Sequence, residues 1–143
     1  MKKTDAPFSI DFIASLLPHE HPFIMVDALY SYTESSLVSG FSIAADNILV
    51  QKGIFTESGL IEHMAQSVAL HTGYQFYLKQ QAAPTGYIGA IKNIIITKLP
   101  SIGDKIESEV TILQEFAGVT LVNISTRLNS NEIASGQMKT VLA

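Results

Sequence analysis

Apolar positions recur along this chain with two different periods, and the change of period divides it into elements. From Gly59 to Leu78 the residues Leu60, Ile61, Met64, Ala65, Val68, Ala69 and Phe76 fall three and four apart, which predicts a helix with a broad apolar stripe. No Asp, Glu, Lys or Arg lies between Glu62 and Lys79. The opposite side carries only His63, Gln66, Ser67, Leu70, His71 and Tyr74, so the helix is expected to be buried over most of its circumference, with the stripe facing protein. Thr56 and Ser58 are both N-cap residues by type.

Around this helix the pattern is shorter. Spaced apolar residues over Ile10 to Leu17, with Ser9 as cap and Pro18 as stop, predict a short helix. Two prolines within Pro18 to Pro22 demand an ordered turn. Phe23 to Leu29 and Leu37 to Ala44 read as strands that pair, and Asp46 to Gly59 reads as a loop. After a break at Gln80 to Gly86, the period becomes two. Strands are predicted at Tyr87 to Thr97, Lys105 to Phe116, Val119 to Leu128 and Glu132 to Leu142, with turns at Pro100 to Asp104, at Gly118 and at Asn129-Ser-Asn131. A long helix followed by an antiparallel meander implies an α+β fold, one sheet curled around one helix. Such a sheet has two edges, and pairing one of them across a two-fold axis would hide it, so a dimer is expected.

Composition narrows the functions. The 143 residues suit a single domain spanning 1–143. A net charge of -4 leaves no basic footprint for nucleic acid. Charged residues are only 15%, against a usual quarter, and apolar ones 47%, which suggests surface hidden in an oligomer. Without cysteine there is no disulfide and no thiolate nucleophile. No signal peptide and no membrane-spanning run is read, so a cytoplasmic protein is expected.

Glu62 is the residue that needs explaining. A carboxyl group among Leu60, Ile61, Met64 and Ala65 is costly to desolvate, and burial would raise its pKa and suit it to general-acid work. Gln66, one turn on, shares its face and can fix its rotamer. The other reading is an outward-pointing acid in a first turn, stabilised by the helix dipole. The N–H groups near Gly59 can hold a developing negative charge.

Three stretches in register then resemble one family, the hot-dog-fold 3-hydroxyacyl-acyl-carrier-protein dehydratases. Leu17-Pro-His-Glu-His-Pro-Phe-Ile-Met-Val-Asp27 is similar to the family's Leu-Pro-His-Arg-x-Pro-Phe-Leu-Leu-Val-Asp. Ile61-Glu-His-Met-Ala-Gln66 is similar to its Ile-Glu-Ala-Met-Ala-Gln helix. Gly86-Tyr-Ile-Gly-Ala-Ile91 and Pro100-Ser-Ile-Gly-Asp104 stand where the family has a glycine-bearing strand and a Pro-Gly-Asp turn. The resemblance implies a hot-dog subunit, dimeric, with sites at the subunit interface and a thioester-linked acyl substrate on acyl carrier protein. It implies Glu62 as the acid, supported by Gln66, and no cofactor. The chain departs from the family ahead of the helix: Asp46 to Gly59 is shorter and holds no histidine where the family keeps its general base. In this it resembles a subfamily found with aryl-polyene and flexirubin-like pigment genes.

Dehydration needs a base for the α proton, an acid for the hydroxyl and donors for the thioester oxygen. Glu62 is the catalytic candidate with Gln66, and N–H groups at Gly59 or Gly89 are candidate donors to the substrate. His19 and Phe23, in the proline turn, complete the substrate-binding set. His63 lies about 100 degrees round the helix from Glu62, and structural roles are the default for His19, His21, His63 and His71. One carboxylate can serve as both base and acid in a syn elimination if it starts ionised. Two alternatives stay open: a thioesterase in which Glu62 activates water, and a non-catalytic subunit paired with a histidine-bearing dehydratase. A metal held by His19, His21 and Glu62 is considered and not expected.

Overall fold

The computed structural model describes the backbone of residues 2–3 and the whole of residues 8–142. Helix α1 (Ile10–Ser15) is capped by the Ser9 hydroxyl, which accepts the Phe12 N–H at 3.1 Å. It ends two residues before the expected Leu17, because Leu16 and Leu17 donate to Ile13 and Ala14 in a tightened final turn. Strands β1 (Lys2–Lys3), β2 (Ala28–Thr33) and β3 (Ser36–Ser42) follow one another in the sheet. A small separate hairpin, β4 (Val50–Gln51) and β5 (Ile54–Phe55), interrupts what the sequence presents as plain loop. Its turn is Lys52-Gly53, both at positive φ, the backbone twist that suits a two-residue hairpin.

Helix α2 (Glu57–Leu78) comes next, with Thr56 as its cap. Four long strands complete the chain: β6 (Gly86–Ile96), β7 (Lys105–Phe116), β8 (Val119–Leu128) and β9 (Asn131–Leu142). The sheet order is β1-β2-β3-β7-β8-β9-β6, antiparallel at every pairing. Along the first half of β7, Ile106, Ser108 and Val110 are buried while Lys105, Glu107 and Glu109 are exposed, the alternation of a strand with one wet face. The buried set meets α2 in one core that includes Leu37, Leu60, Met64, Val122, Ile124 and Met138. This is the hot-dog arrangement, a sheet wrapped round one long helix. No helix among the described residues is long and apolar enough to cross a membrane.

Two expectations need correction. The strand predicted over Phe23 to Leu29 begins only at Ala28, because residues 23–25 find their hydrogen-bond partners on α2 and not on another strand. The apolar stripe of α2 is also not its most buried side: His63, Gln66, Ser67 and His71 are buried, whereas Ala65 and Ala69 are half-buried. Polar groups can lie inward because the sheet answers them. Ser67 and Ser39 share a 2.7 Å hydroxyl contact, and Ser67 donates to the His63 carbonyl at 2.8 Å.

Helix α1 leans on α2 at Gly73, where a Cβ would run into the Leu16 carbonyl oxygen. The close approach requires glycine. Gly73→Ala is expected to cost about 1–3 kcal/mol through forced displacement of backbone, and Gly86→Ala, whose Cβ meets its nearest atom at 3.7 Å, under about 0.5 kcal/mol. Denaturant unfolding of the two variants beside the wild type checks both.

Candidate active site

The proline turn delivers the chain to α2. Its His21–Pro22 peptide is cis, and Phe23 N–H closes on the Glu20 carbonyl at 2.8 Å. The next residues lie against the helix and bond to its side chains as if these were a neighbouring strand. Gln66 Oε1 accepts the Met25 N–H at 2.6 Å, and Gln66 Nε2 donates to the Phe23 carbonyl at 2.8 Å. The Met25 carbonyl lies 2.7 Å from His63 Nδ1.

That last bond sets a tautomer. A carbonyl only accepts, so Nδ1 carries the proton and Nε2 accepts from the Ser108 hydroxyl at 2.8 Å. Ser108, its own proton spent, accepts from Thr126 at 2.6 Å. The ring is fully buried, and desolvation lowers its pKa to about 4, opposed in part by the bond to Met25. With both nitrogens committed, His63 is structural. His71 is similar: burial lowers its pKa, Nε2 meets the Thr33 carbonyl at 2.9 Å, and the ring lies 5.0 Å from that of Tyr32.

Glu62 stands at the other side of Gln66. Its Oε1 accepts the second proton of the Gln66 amide at 3.1 Å, and the same oxygen lies 3.5 Å from His19 Nε2. Thus Glu62, Gln66 and His19 come together within one chain. The carboxylate is not desolvated as the sequence suggests: the side chain is 41% exposed. Because α2 starts at Glu57, Glu62 is its sixth residue and stands beyond the first turn that the dipole reading required; it is part-exposed and held by a buried amide.

Glu62 and His19 line a groove of about 380 Å³. Its floor is the half-buried stripe Glu62, Ala65, Ala69 and Thr72 of α2. Its walls are Leu16 to Pro18 on one side and Ala83 to Ile88 with Leu142 on the other. Three predicted substrate contacts lie outside it. Gly59 is buried under the Phe55 ring, and its N–H is taken by the Thr56 hydroxyl at 3.3 Å, so the cap consumes the donor expected for substrate. Gly89 sits at a register shift in β6 between Ile88 and Ala90, exposed on the sheet edge. Phe23 is 58% exposed and reaches the site only through its carbonyl. His21 is exposed in the turn, and no cluster of three metal-ligating His, Asp or Glu side chains forms among the described residues. The sequence reading missed the groove wall at residues 83–86, which reads only as a polar break, while Tyr87 and Ile88 beside it were read as strand. Asp27, the last residue of the first family-like stretch, lies outside the groove: burial raises its pKa, while its carboxylate accepts the Ser42 N–H at 3.2 Å and ties the approach to β2 to β3.

Comparison with known proteins adds to this geometry. A family model described as ApeP-like, ApeP dehydratase, matches residues 12–142. The 3-hydroxyacyl-[acyl-carrier-protein] dehydratase FabZ of Vibrio cholerae is 27% identical over 144 residues, covering 96% of this chain and 92% of that protein. FabZ of Haemophilus ducreyi is 27% identical over 124 residues, 82% of this chain and 80% of the relative. Among solved structures, the dehydratase heterocomplex ApeI:P of Xenorhabdus doucetiae superposes with a TM-score of 0.84 at 15% identity, covering 92% of this chain and 90% of that one. A hypothetical thioesterase with coenzyme A from Streptococcus pneumoniae shares the fold at a TM-score of 0.64 and 9% identity, covering 80% and 84%.

Two outcomes follow from the buried network. Gln66→Leu strands the Met25 N–H and the Phe23 carbonyl and is expected to cost roughly 2–4 kcal/mol, read by denaturant unfolding. Because the folded pKa of His63 lies near 4 and the free value near 6.5, the unfolded chain binds its proton first as pH falls. The contribution of this ring is therefore complete above about pH 6.5 and declines from there toward pH 4. Thermal unfolding across that window shows the slope, and His63→Gln flattens it.

Proposed function

Because the chain belongs to the ApeP-like dehydratase family, whose model matches residues 12–142, we propose that it removes water from a 3-hydroxyacyl thioester presented on an acyl carrier protein, with Glu62 as the acid–base group. The observation that carries this is the place of Glu62: it is the one carboxylate among the residues lining the groove, held by Gln66 at 3.1 Å. The groove runs from Glu62 along α2 to Gly73, a rise of about 16 Å at 1.5 Å per residue, which suits an extended acyl chain with its thioester end at Glu62. The FabZ relatives act, by name, on the same class of substrate.

The loop from Asp46 to Gly59, which carries the β4–β5 hairpin, supplies no histidine. That absence keeps a thioesterase reading as the second choice, since water activated by one carboxylate needs no histidine. Mass spectrometry of a 3-hydroxyacyl group on acyl carrier protein separates the two. Wild type is expected to remove one water with the thioester intact, and Glu62→Ala to lower that rate at least about 100-fold. Loss of the whole acyl group would instead establish thioester hydrolysis, and no reaction would leave a subunit that needs a partner.

A partner also fits the sheet. β6 is an edge strand of 11 residues, exposed almost throughout, and it carries Tyr87, Ile88, Ile91 and Ile95 to solvent. A long apolar edge with open backbone groups is a pairing surface. We place the contact with a second hot-dog subunit there, either a copy of this chain or a related one. Light scattering is expected to give at least twice the 15.5 kDa of one chain if the partner is a copy, and Ile91→Lys with Ile95→Lys to shift it toward monomer.

A further inference from the structure

Elimination requires that some group take the α proton, and the loop ahead of α2 holds no histidine to do it. The four histidines separate by place and bonding. His63 and His71 are buried and bonded to the chain, and His21 is exposed outside the groove. Only His19 lines the groove beside Glu62.

Two observations decide what His19 can do there. Its Nδ1 is buried and has no hydrogen-bond partner, while its Nε2 faces Glu62 Oε1 at 3.5 Å. A neutral imidazole carries one N–H. On Nδ1 that proton would be a buried donor with nothing to receive it, the costly arrangement. On Nε2 it points at a carboxylate oxygen, and the nitrogen left bare is only an acceptor. The surroundings therefore select the Nε2–H tautomer, in which the ring offers Glu62 a donor and has no lone pair on the nitrogen that faces it.

Gln66 Nε2 donates to the same oxygen at 3.1 Å. An oxygen that receives two N–H groups has no room for a carboxyl proton of its own, so Oε2 is the atom that can take one up. The geometry points to His19 as a positioning residue: with Gln66 it pins Oε1 and leaves Oε2 of Glu62 as the single atom that removes the α proton and returns it to the departing hydroxyl. This rests on the dehydratase reading above. In that step the α C–H bond breaks toward Oε2 and its electron pair becomes the carbon–carbon π bond. The β C–O bond breaks with its pair on oxygen, and the proton on Oε2 leaves with that oxygen as water. Glu62 ends as the carboxylate it began as, so no second base is needed. One atom serves both carbons from one side, which makes the elimination syn. The 3.5 Å separation is slack for a hydrogen bond and is expected to close when substrate is bound, as loosely aligned catalytic contacts do.

Replacement of His19 tells a donor from a base. Gln sets an amide N–H close to where Nε2–H stands, Asn sets one near Nδ1, and Ala leaves neither. For dehydration of 3-hydroxyacyl groups on acyl carrier protein, His19→Ala and His19→Asn are expected to lose about 10–100-fold in kcat with KM little changed, and His19→Gln to stay within about threefold of wild type, as for misplacement of a reacting group. Melting temperatures of the three variants serve as the folding control, and a stereospecifically α-deuterated substrate reports syn or anti loss. His19→Gln as inactive as His19→Ala would make the ring a base and overturn the assignment, as would three fully active variants or anti elimination. A wild type that releases no water would remove the dehydratase reading itself and this inference with it.

Discussion

One side-chain amide holds the site to the fold. Gln66 receives the Met25 N–H, donates to the Phe23 carbonyl and donates to Glu62, so a single planar group is fastened on three sides. Its two contacts with residues 23–25 replace strand pairing for that segment, and the third sets the carboxylate. A hydrogen-bonded amide that is fully buried has few other rotamers open to it, since each of them would leave backbone groups unpaired. The orientation of Glu62 is thus inherited from the folding of the chain around it.

The interior beneath follows the same rule. His63, Ser108 and Thr126 form a directional line from the Met25 carbonyl into the sheet, and Ser67 joins Ser39 beside it. Each group in the His63 line has its proton assigned by the one before. A core of this kind gains little from burial of its polar members, but it accepts few alternative registers of helix on sheet, because a shift would break several bonds together. The apolar residues around it supply the driving force.

Much of this was legible in the chain. Helix α2 and strands β7 to β9 stand where the periods of apolar residues place them, and Gly118 and Asn129 in the hairpin turns adopt the positive φ that their residue types favour. Gln66 beside Glu62 follows from helical spacing alone. What was not legible depended on distant partners. Phe23 to Val26 is a continuous apolar run of strand type, yet a side chain 41 residues away takes its ladder bond. His19 could not be set beside Glu62 from sequence, since nothing local fixes the path of the proline turn across α2. Gly59 was misjudged for another reason. A helix start offers free N–H groups only until its cap is counted, and Thr56 takes the one at Gly59.

The stripe Glu62, Ala65, Ala69 and Thr72 belongs to the groove and only marginally to the interior, whereas Leu60, Met64, Gln66 and Leu70 on the same helix are sealed inside. Residues that secure the fold and residues that set the shape of the groove are therefore interleaved along one helix, and only Val68 and Gly73 do both. Ala65 and Ala69 touch the core only from its margin, so change at 65, 69 or 72 acts first on the room above the helix. Selection can consequently retune which acyl chains are admitted by small steps that incur little loss of stability, a freedom that a site built from core residues does not have.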